Sequence, residues 1–344
     1  MMFPSLKRAA LAGFAGICFA ASGAARAFPD PQAELAAFPF GKQIIRVSST
    51  GIKPVALWPG RARAHDSFSY EGGFVAWERE SQTLYRWTDG SLKPLGRIAD
   101  NTVYLSRDWA LGESEAFARG SGFTFSLYRL SFGIRKTAAF ALDCFVSDVL
   151  FLNGRCYIAG ADRADTRNSL YEVDTDSGKC RLLASLPKSR DFGRIVSDGT
   201  VLWFFLSPSI PHSMPPAILS FPLGAGGAGK GRRILAAGLD AKELSWYGFG
   251  FCWDGLFWLP AAGGSGPATQ VTLYAFEPGG SGTVLSAAPL PTGVTKPICA
   301  AGLDFAALGF LSLKNAGAYS ILRFVPGSRK GEIRIEETAL PLRP

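Results

Sequence analysis

The chain has 344 residues, of which 47% are hydrophobic and 19% charged, with 40 glycines and 22 prolines. This composition excludes a disordered or fibrous protein, and the many turn-forming residues together with 12% aromatic residues favour short strands joined by tight turns over a helix-rich fold. The 36 basic residues exceed the 28 acidic ones but are spread singly along the chain, and the densest cluster (Lys230, Arg232, Arg233) lies in a glycine-rich turn, so no nucleic-acid partner is expected.

The N-terminal segment has the pattern of a secretory signal peptide. Lys7 and Arg8 precede an apolar run over residues 9–21, and Ala25 and Ala27 supply the small residues of a cleavage site before Phe28. Lipidation at Cys18 is disfavoured because Ile17, rather than a small residue, precedes it. We therefore expect residues 1–27 to be removed and residues 28–344 to form a single exported domain, periplasmic or extracellular, without a transmembrane segment.

A five-residue strand pattern recurs along the rest of the chain. Each copy has a small residue, two large apolar residues, a variable residue and another apolar residue; the six copies are residues 83–87, 126–130, 169–173, 217–221, 272–276 and 320–324. Their first large residues are separated by 43, 43, 48, 55 and 48 positions. A period of about 40 to 50 residues is typical of the blades of a β-propeller.

Turn signals divide each repeat into about four strands. Asp89-Gly90 follows the first copy, and Asn153-Gly154 and Asp198-Gly199 precede later ones, as expected for tight hairpins. The continuous apolar run at residues 201–206 suits a strand covered on both faces. The predicted fold class is all-β: a β-propeller of four-stranded antiparallel blades, with under about 5% helix.

The number of blades has two interpretations. Residues 44–47 and 55–58 predict an additional hairpin before the first full repeat, and residues 28–43 are too few and too rich in proline and alanine to supply a second hairpin upstream of it. Six blades with an extra N-terminal hairpin is the first choice. Seven blades, one of them incomplete or completed differently, is the second.

One repeat carries a resemblance to a known group of proteins. Residues 170–174, followed by Asp176-Ser177-Gly178 and the apolar strand at residues 180–186, resemble the repeat of TolB-type and related bacterial propellers. The resemblance implies the fold and no catalytic residues. The sialidase-type box is not matched by residues 197–200.

Residues for metal or cofactor chemistry are sparse. There are two histidines, His65 and His212, and the five cysteines after the signal peptide lack metal-ligand spacing, so neither a metal site nor a cofactor is expected. The odd number of cysteines leaves at least one thiol outside any intrachain disulfide. The recurring Asp198 and Asp254 are interpreted as turn residues, and catalytic residues remain unassigned.

Topology nevertheless predicts a binding face. In a four-stranded antiparallel blade, the loops between strands two and three lie at the same end as the links between blades, and here these loops are long. They carry the candidate ligand-binding residues Arg163, Arg167, Arg190, His212, Trp246, Tyr247 and Lys296. The alternative is an ordinary solvated rim.

The predicted function is a ligand-binding or protein-binding scaffold of the cell envelope. The loop-rich face would take a protein or an anionic or carbohydrate-like ligand, held by arginine side chains and aromatic rings. The alternative is a hydrolase or lyase that acts on an exported carbohydrate-like polymer through rim carboxylates.

Overall fold

A computed structural model describes residues 34–341 apart from connecting segments, and beyond residue 278 it describes only the backbone of the strands. The segments not described are 41–42, 49–50, 60–65, 71–72, 115–121, 132, 165, 188–190, 209–216, 235–243, 247–249, 254, 264–269, 279–286, 291–293, 302–305, 313–317 and 327–332. The predicted signal peptide lies outside the described residues. Within them there is no helix, so none is long and apolar enough to cross a membrane.

The described strands form seven antiparallel sheets that follow one another along the chain. Sheet 1 has three strands, β1 (Glu34–Phe40), β2 (Gln43–Ser48) and β3 (Gly51–Leu57). The next three sheets have four strands each. Sheet 2 consists of β4 (Asp66–Tyr70), β5 (Gly73–Glu78), β6 (Thr83–Thr88) and β7 (Ser91–Arg97). Sheet 3 consists of β8 (Thr102–Leu105), β9 (Trp109–Ser114), β10 (Phe123–Arg129) and β11 (Arg135–Leu142), and sheet 4 of β12 (Cys144–Leu152), β13 (Arg155–Asp162), β14 (Arg167–Asp174) and β15 (Cys180–Pro187).

Sheets 5 to 7 continue the pattern with short additional strands. Sheet 5 consists of β16 (Asp191–Ser197), β17 (Val201–Pro208), β18 (Ile218–Gly224), β19 (Gly227–Ala228) and β20 (Arg232–Ile234). Sheet 6 consists of β21 (Leu244–Trp246), β22 (Phe251–Trp253), β23 (Leu256–Gly263), β24 (Gln270–Phe276) and β25 (Ala287–Leu290). Sheet 7 consists of β26 (Val294–Ala301), β27 (Ala306–Ser312), β28 (Ala318–Pro326) and β29 (Ile333–Pro341). In sheet 5, β19 and β20 both pair with β18, and in sheet 6, β21 and β22 both pair with β23.

The predicted four-stranded repeat is confirmed. The six copies of the strand pattern coincide with β6, β10, β14, β18, β24 and β28, the third main strand of sheets 2 to 7. The predicted tight turns also form: Asn153 and Gly154 both have positive φ, at 50° and 72°, as a two-residue hairpin requires.

The N-terminal segment supplies part of a blade. Residues 28–43 were expected to be too few for an upstream hairpin, and their described part supplies the single strand β1, which pairs with β2 over most of its length with a register shift near Ala36. Proline is tolerated there because Pro39 lies on the edge strand of its sheet.

Neighbouring sheets pack face to face through apolar clusters. Between sheets 4 and 5, Tyr157 and Leu170 pack with Phe204. Between sheets 5 and 6, Phe205 packs with Phe257. Adjacent residues of a strand point to opposite faces, so Phe204 and Phe205 bury their rings against different sheets. This explains the unbroken apolar run in β17, since burying one such ring contributes about 1.5–3 kcal/mol.

The first strands of successive sheets contact one another, as seen for β1 with β4, β4 with β8, and β12 with β16. Successive first strands in contact, with sheets packed face to face, are consistent with a β-propeller whose first strands surround a common axis. The number of blades in a closed ring stays a prediction.

Candidate functional site

One end of the sheets gathers the two kinds of loop that the topology predicted to lie together. Arg163 follows β13, and its Nε contacts Asp143 Oδ1, in the link between sheets 3 and 4, at 2.5 Å. The Arg163 guanidinium also lies 5.5 Å from the ring centroid of Phe123, the first residue of β10. We call this the loop-rich end.

Of the predicted ligand-binding residues, Arg163 and Arg167 have described side chains, and both are engaged with the protein itself. Arg163 pairs with Asp143 as above, and Arg167 Nε donates to Ser185 Oγ at 2.7 Å. These contacts leave the two guanidiniums less available to an anionic ligand than the sequence suggested.

The other candidates are not brought together by the described part of the chain. Trp246 ends β21 and Lys296 lies in β26, so both, like Arg167 at the start of β14, belong to strands rather than the predicted loops. The strands extend further toward this end than the turn signals indicated. Arg190, His212 and Tyr247 lie outside the described residues.

An exposed aromatic pair at the loop-rich end was missed. Phe145, the second residue of β12, is 47% exposed, and its ring centroid lies 5.1 Å from that of Phe123. Large apolar side chains are usually buried, so an exposed ring packed at 59° against a second ring offers an apolar surface for a ligand. The available signal was the position of Phe145 directly after an intersheet link.

Five ionisable side chains lie mainly on the first strands of sheets 2 to 5. We call Asp66, Tyr104, Glu113, Asp148 and Arg194 the axial group. Burial raises the pKa of the nearby thiol of Cys144 to about 12, and the charge of Glu113 contributes a smaller part of that rise.

Asp148 is a buried structural carboxylate. Its Oδ1 accepts the Val149 N–H at 3.0 Å, and its Oδ2 accepts the N–H of Ile195, on the first strand of the next sheet, at 2.9 Å. Burial raises the pKa of Asp148, while Arg194 and these two hydrogen bonds lower it. Asp148 therefore joins sheet 4 to sheet 5.

Asp66 occupies the same register position in sheet 2 but has a different environment. Asp66 pairs with Trp77, and Asp148 pairs with Ala159. Each aspartate lies four residues before the last residue of its strand, where the hairpin begins. The Asp66 Oδ1 accepts the Ser67 N–H at 2.9 Å. Within the described part of the protein, this is the single hydrogen bond of the Asp66 carboxyl. No cation of that part is among the groups that shift the pKa of Asp66.

The surroundings of Asp66 disfavour its charged form. Part of the residue remains accessible, but burial of the carboxyl raises its pKa to about 7, with a smaller contribution from the charge of Asp148 and an opposing one from the Ser67 hydrogen bond. A carboxyl that titrates near neutral pH is suited to proton transfer.

Tyr104 is hydrogen-bonded to one carboxyl of the axial group, that of Glu113. Its hydroxyl donates to Glu113 Oε2 at 3.3 Å. The pKa of Tyr104 is raised first by burial and then by the charges of Glu113, Asp66 and Asp148. Tyr104 and Glu113 thus form a hydrogen-bonded pair across the first two strands of sheet 3.

Other residues singled out from the sequence have structural roles. Asp198 accepts hydrogen bonds from the N–H groups of Thr200 and Val201 at 2.8 and 2.9 Å, which confirms its turn role. Asp254 lies outside the described residues. Cys144, Cys156, Cys180 and Cys252 are free thiols, and the residues searched contain no group of three or more His, Cys, Asp or Glu that could hold a metal ion.

Comparisons with known proteins identify the fold. No protein-family model matches the chain, and no curated protein matches it in sequence. A solved protein from Lactobacillus plantarum is similar in structure, with a TM-score of 0.54 and 10% identity over 90% of this chain and 98% of that one. Cobalt-substituted ACO from Synechocystis has a TM-score of 0.52 and 8% identity over 90% of both chains. A 6-phosphogluconolactonase-like protein from Bacteroides fragilis has a TM-score of 0.51 and 10% identity over 92% of this chain and 98% of that one.

These structural neighbours are β-propeller-like proteins of mixed function. At such low identity the similarity extends to the fold alone. The narrower resemblance to TolB-type propellers stays a prediction.

Proposed function

We propose that the chain is an exported β-propeller that binds a carbohydrate-like, polyhydroxylated ligand at its loop-rich end. The observation that carries this proposal is the exposure of Phe145 beside Phe123, whose ring lies near the Arg163 guanidinium that pairs with Asp143. Aromatic rings pack against the apolar face of a sugar, and carboxylates accept hydrogen bonds from its hydroxyls.

The same residues favour a neutral ligand over an anionic one. Arg163 is paired with Asp143, and Arg167 donates to Ser185, so an anion would have to displace contacts within the protein. A protein partner remains the alternative carried over from the sequence.

Export and blade number belong to this proposal. The signal-peptide pattern of residues 1–27 supports delivery to the periplasm or the exterior. The three strands of sheet 1 and the contacts of β1 with β4 favour a ring of seven blades, the first of them three-stranded, over the six-bladed first choice.

Binding of the mature chain to an array of bacterial and plant polysaccharides tests the proposal. Phe145→Ala should weaken binding by about 1–2 kcal/mol, roughly 5- to 30-fold, because it removes the exposed half of the aromatic pair. Leu182→Ala is the matched control, since Leu182 is 56% exposed but lies on the outermost strand β15.

Two outcomes contradict the proposal. If Phe145→Ala and Leu182→Ala bind alike, the aromatic pair is not the site. If binding falls steeply between low and physiological salt and is lost in Arg163→Ala, the ligand is anionic.

A further inference from the structure

The outermost strands of sheets 1 to 5 carry charge of one sign. These strands are β3, β7, β11 and β15 and, in sheet 5, the short strands β19 and β20 that both pair with β18. They contain no acidic residue, and their basic residues, which we call the outer row, are Lys53, Lys93, Arg97, Arg135, Lys136, Arg181, Arg232 and Arg233. The outermost strand of sheet 7, β29, differs because it contains Glu336 and Glu337.

One position of the outer row recurs in the same register. In sheets 2 to 5, a basic residue lies directly opposite the fourth, variable residue of the recurring strand pattern. The pairs are Arg86 with Lys93, Arg129 with Arg135, Glu172 with Arg181, and Ser220 with Arg232. In sheet 1, Arg46 pairs with Lys53 in the same way. The repeat therefore places one cation at an equivalent point of each of five consecutive sheets.

The sheets that carry the outer row are stacked in chain order. Apolar clusters join each sheet to the next, from the contact of sheet 1 with sheet 2 to that of sheet 4 with sheet 5. Packed sheets lie about 10 Å apart, so the recurring cations follow one another at intervals of about 10 Å or more. In the sequence the same residues are about 40 to 50 positions apart and look like single charges.

Most of the described side chains at the recurring position are free to meet a ligand. Lys93, Arg135 and Arg232 are exposed, and within the described part of the chain their side chains form no hydrogen bond or ion pair. Arg181 is 54% exposed, although it is bonded to the buried Glu172. Exposed cations without a partner of their own are available to an anion from solvent.

Protection of the sheet edges does not explain the single sign of the charge. Lysine and proline on an edge strand hinder pairing with another sheet, and Lys93 followed by Pro94 suits that role. A charge of either sign would serve it, however. Directly opposed like charges, such as Arg129 with Arg135, destabilise a sheet. A one-signed row that does not favour stability points to a ligand of opposite charge.

We propose that the outer row binds a linear acidic polysaccharide that runs across the outermost strands of sheets 1 to 5. The outermost strands of a propeller face outward in different directions, so a flat membrane would meet only those of neighbouring sheets. A flexible chain with a carboxylate on each sugar can follow all five.

The choice of a polysaccharide over a nucleic acid rests on the export that belongs to the proposed function. The site itself does not, because the outer row shares no residue with the aromatic pair. Binding at each surface can therefore be tested separately.

Binding of the mature chain to polygalacturonate, a linear polymer with one carboxylate on each sugar, tests the proposal. Affinity should fall at least about 10-fold as the ionic strength rises from low values to about 0.15 M, because salt screens exposed charges. Lys93→Gln/Arg135→Gln, which removes two neighbouring members of the row, should weaken binding roughly 5- to 30-fold at low ionic strength.

A matched control removes two exposed cations from the same two sheets. Arg79 follows β5 and Arg107 follows β8, so both lie off the outermost strands. Arg79→Gln/Arg107→Gln has the same net charge as the first variant and should bind polygalacturonate within about 2-fold of wild type. Thermal unfolding of both variants identifies any loss of fold.

Four outcomes overturn the proposal. Equal weakening in the two double variants would show that net charge alone explains binding. Absence of polygalacturonate binding at low ionic strength would exclude the polymer. Binding to phosphatidylglycerol vesicles or to single-stranded DNA, without binding to polygalacturonate, would assign the row to another class of partner. Loss of polygalacturonate binding in Phe145→Ala would place the polymer at the loop-rich end instead.

Discussion

Glu172 should be a strong determinant of cohesion between sheets 4 and 5. It lies on β14 and is 5% exposed, and its Oε2 accepts the N–H of Ala228, on β19 of the next sheet, at 2.7 Å. Arg181 Nη2 lies 3.1 Å from both carboxylate oxygens, and the Tyr157 hydroxyl is a further partner.

The cost of Glu172→Ala follows from the groups that lose their acceptor. The buried Ala228 N–H would cost about 1–3 kcal/mol and the Tyr157 hydroxyl about 1 kcal/mol. Arg181 adds less than about 1 kcal/mol, because its side chain is 54% exposed and regains water. We expect a total loss of about 2–4 kcal/mol in the free energy of unfolding.

Urea unfolding followed by tryptophan fluorescence measures this loss, with Arg181→Ala as the companion variant. The reasoning is refuted if Glu172→Ala costs less than about 1 kcal/mol, or if Arg181→Ala costs as much as Glu172→Ala at an unchanged m value.

Three further changes test other contacts by urea unfolding. Gly227→Ala should destabilise the chain strongly, because Gly227 has a φ of 103° and an added Cβ would lie about 2.5 Å from a Glu172 oxygen; a stability equal to wild type would contradict this. Arg86→Ala should cost about 1–3 kcal/mol, since its guanidinium donates to three carbonyls including that of Leu130 at 2.7 Å, and a neutral result would show that water replaces those bonds. The pKa of Asp66 is about 7 in the folded state and about 4 in the unfolded state. Stability should therefore fall as the pH rises from about 4 to about 7. Asp66→Asn should flatten that fall, and an unchanged slope would assign it to other groups.

The sequence predicted what depends on local chemistry. The apolar strand pattern predicted the third strand of six sheets, and Asn153-Gly154 predicted a turn whose positive φ values the structure contains. Both follow from rules that operate within a few residues.

What the sequence missed depends on contacts between repeats. The sequence showed only a glycine-rich turn at residues 224–231, but Gly227 and Ala228 form the short strand β19 there and pack against Glu172, more than fifty positions earlier in the chain. The aromatic pair joins Phe123 and Phe145 from consecutive sheets. No short-range pattern identifies such partners without the geometry of the sheets.

The equivalent carboxyls of the repeat differ in protonation because their neighbouring strands differ. The same strand position carries Asp148 in sheet 4 and Asp66 in sheet 2, with the same local hydrogen bond from the next residue. The first strand of the sheet after that of Asp148 is β16, which has seven residues and supplies the Ile195 N–H. The first strand of the sheet after that of Asp66 is β8, which has four residues. A buried carboxylate satisfied by a neighbouring strand stabilises the interface between sheets. One left without that donor keeps its proton to a higher pH. A difference in the neighbouring strand thus changes the protonation of one and the same position of the repeat.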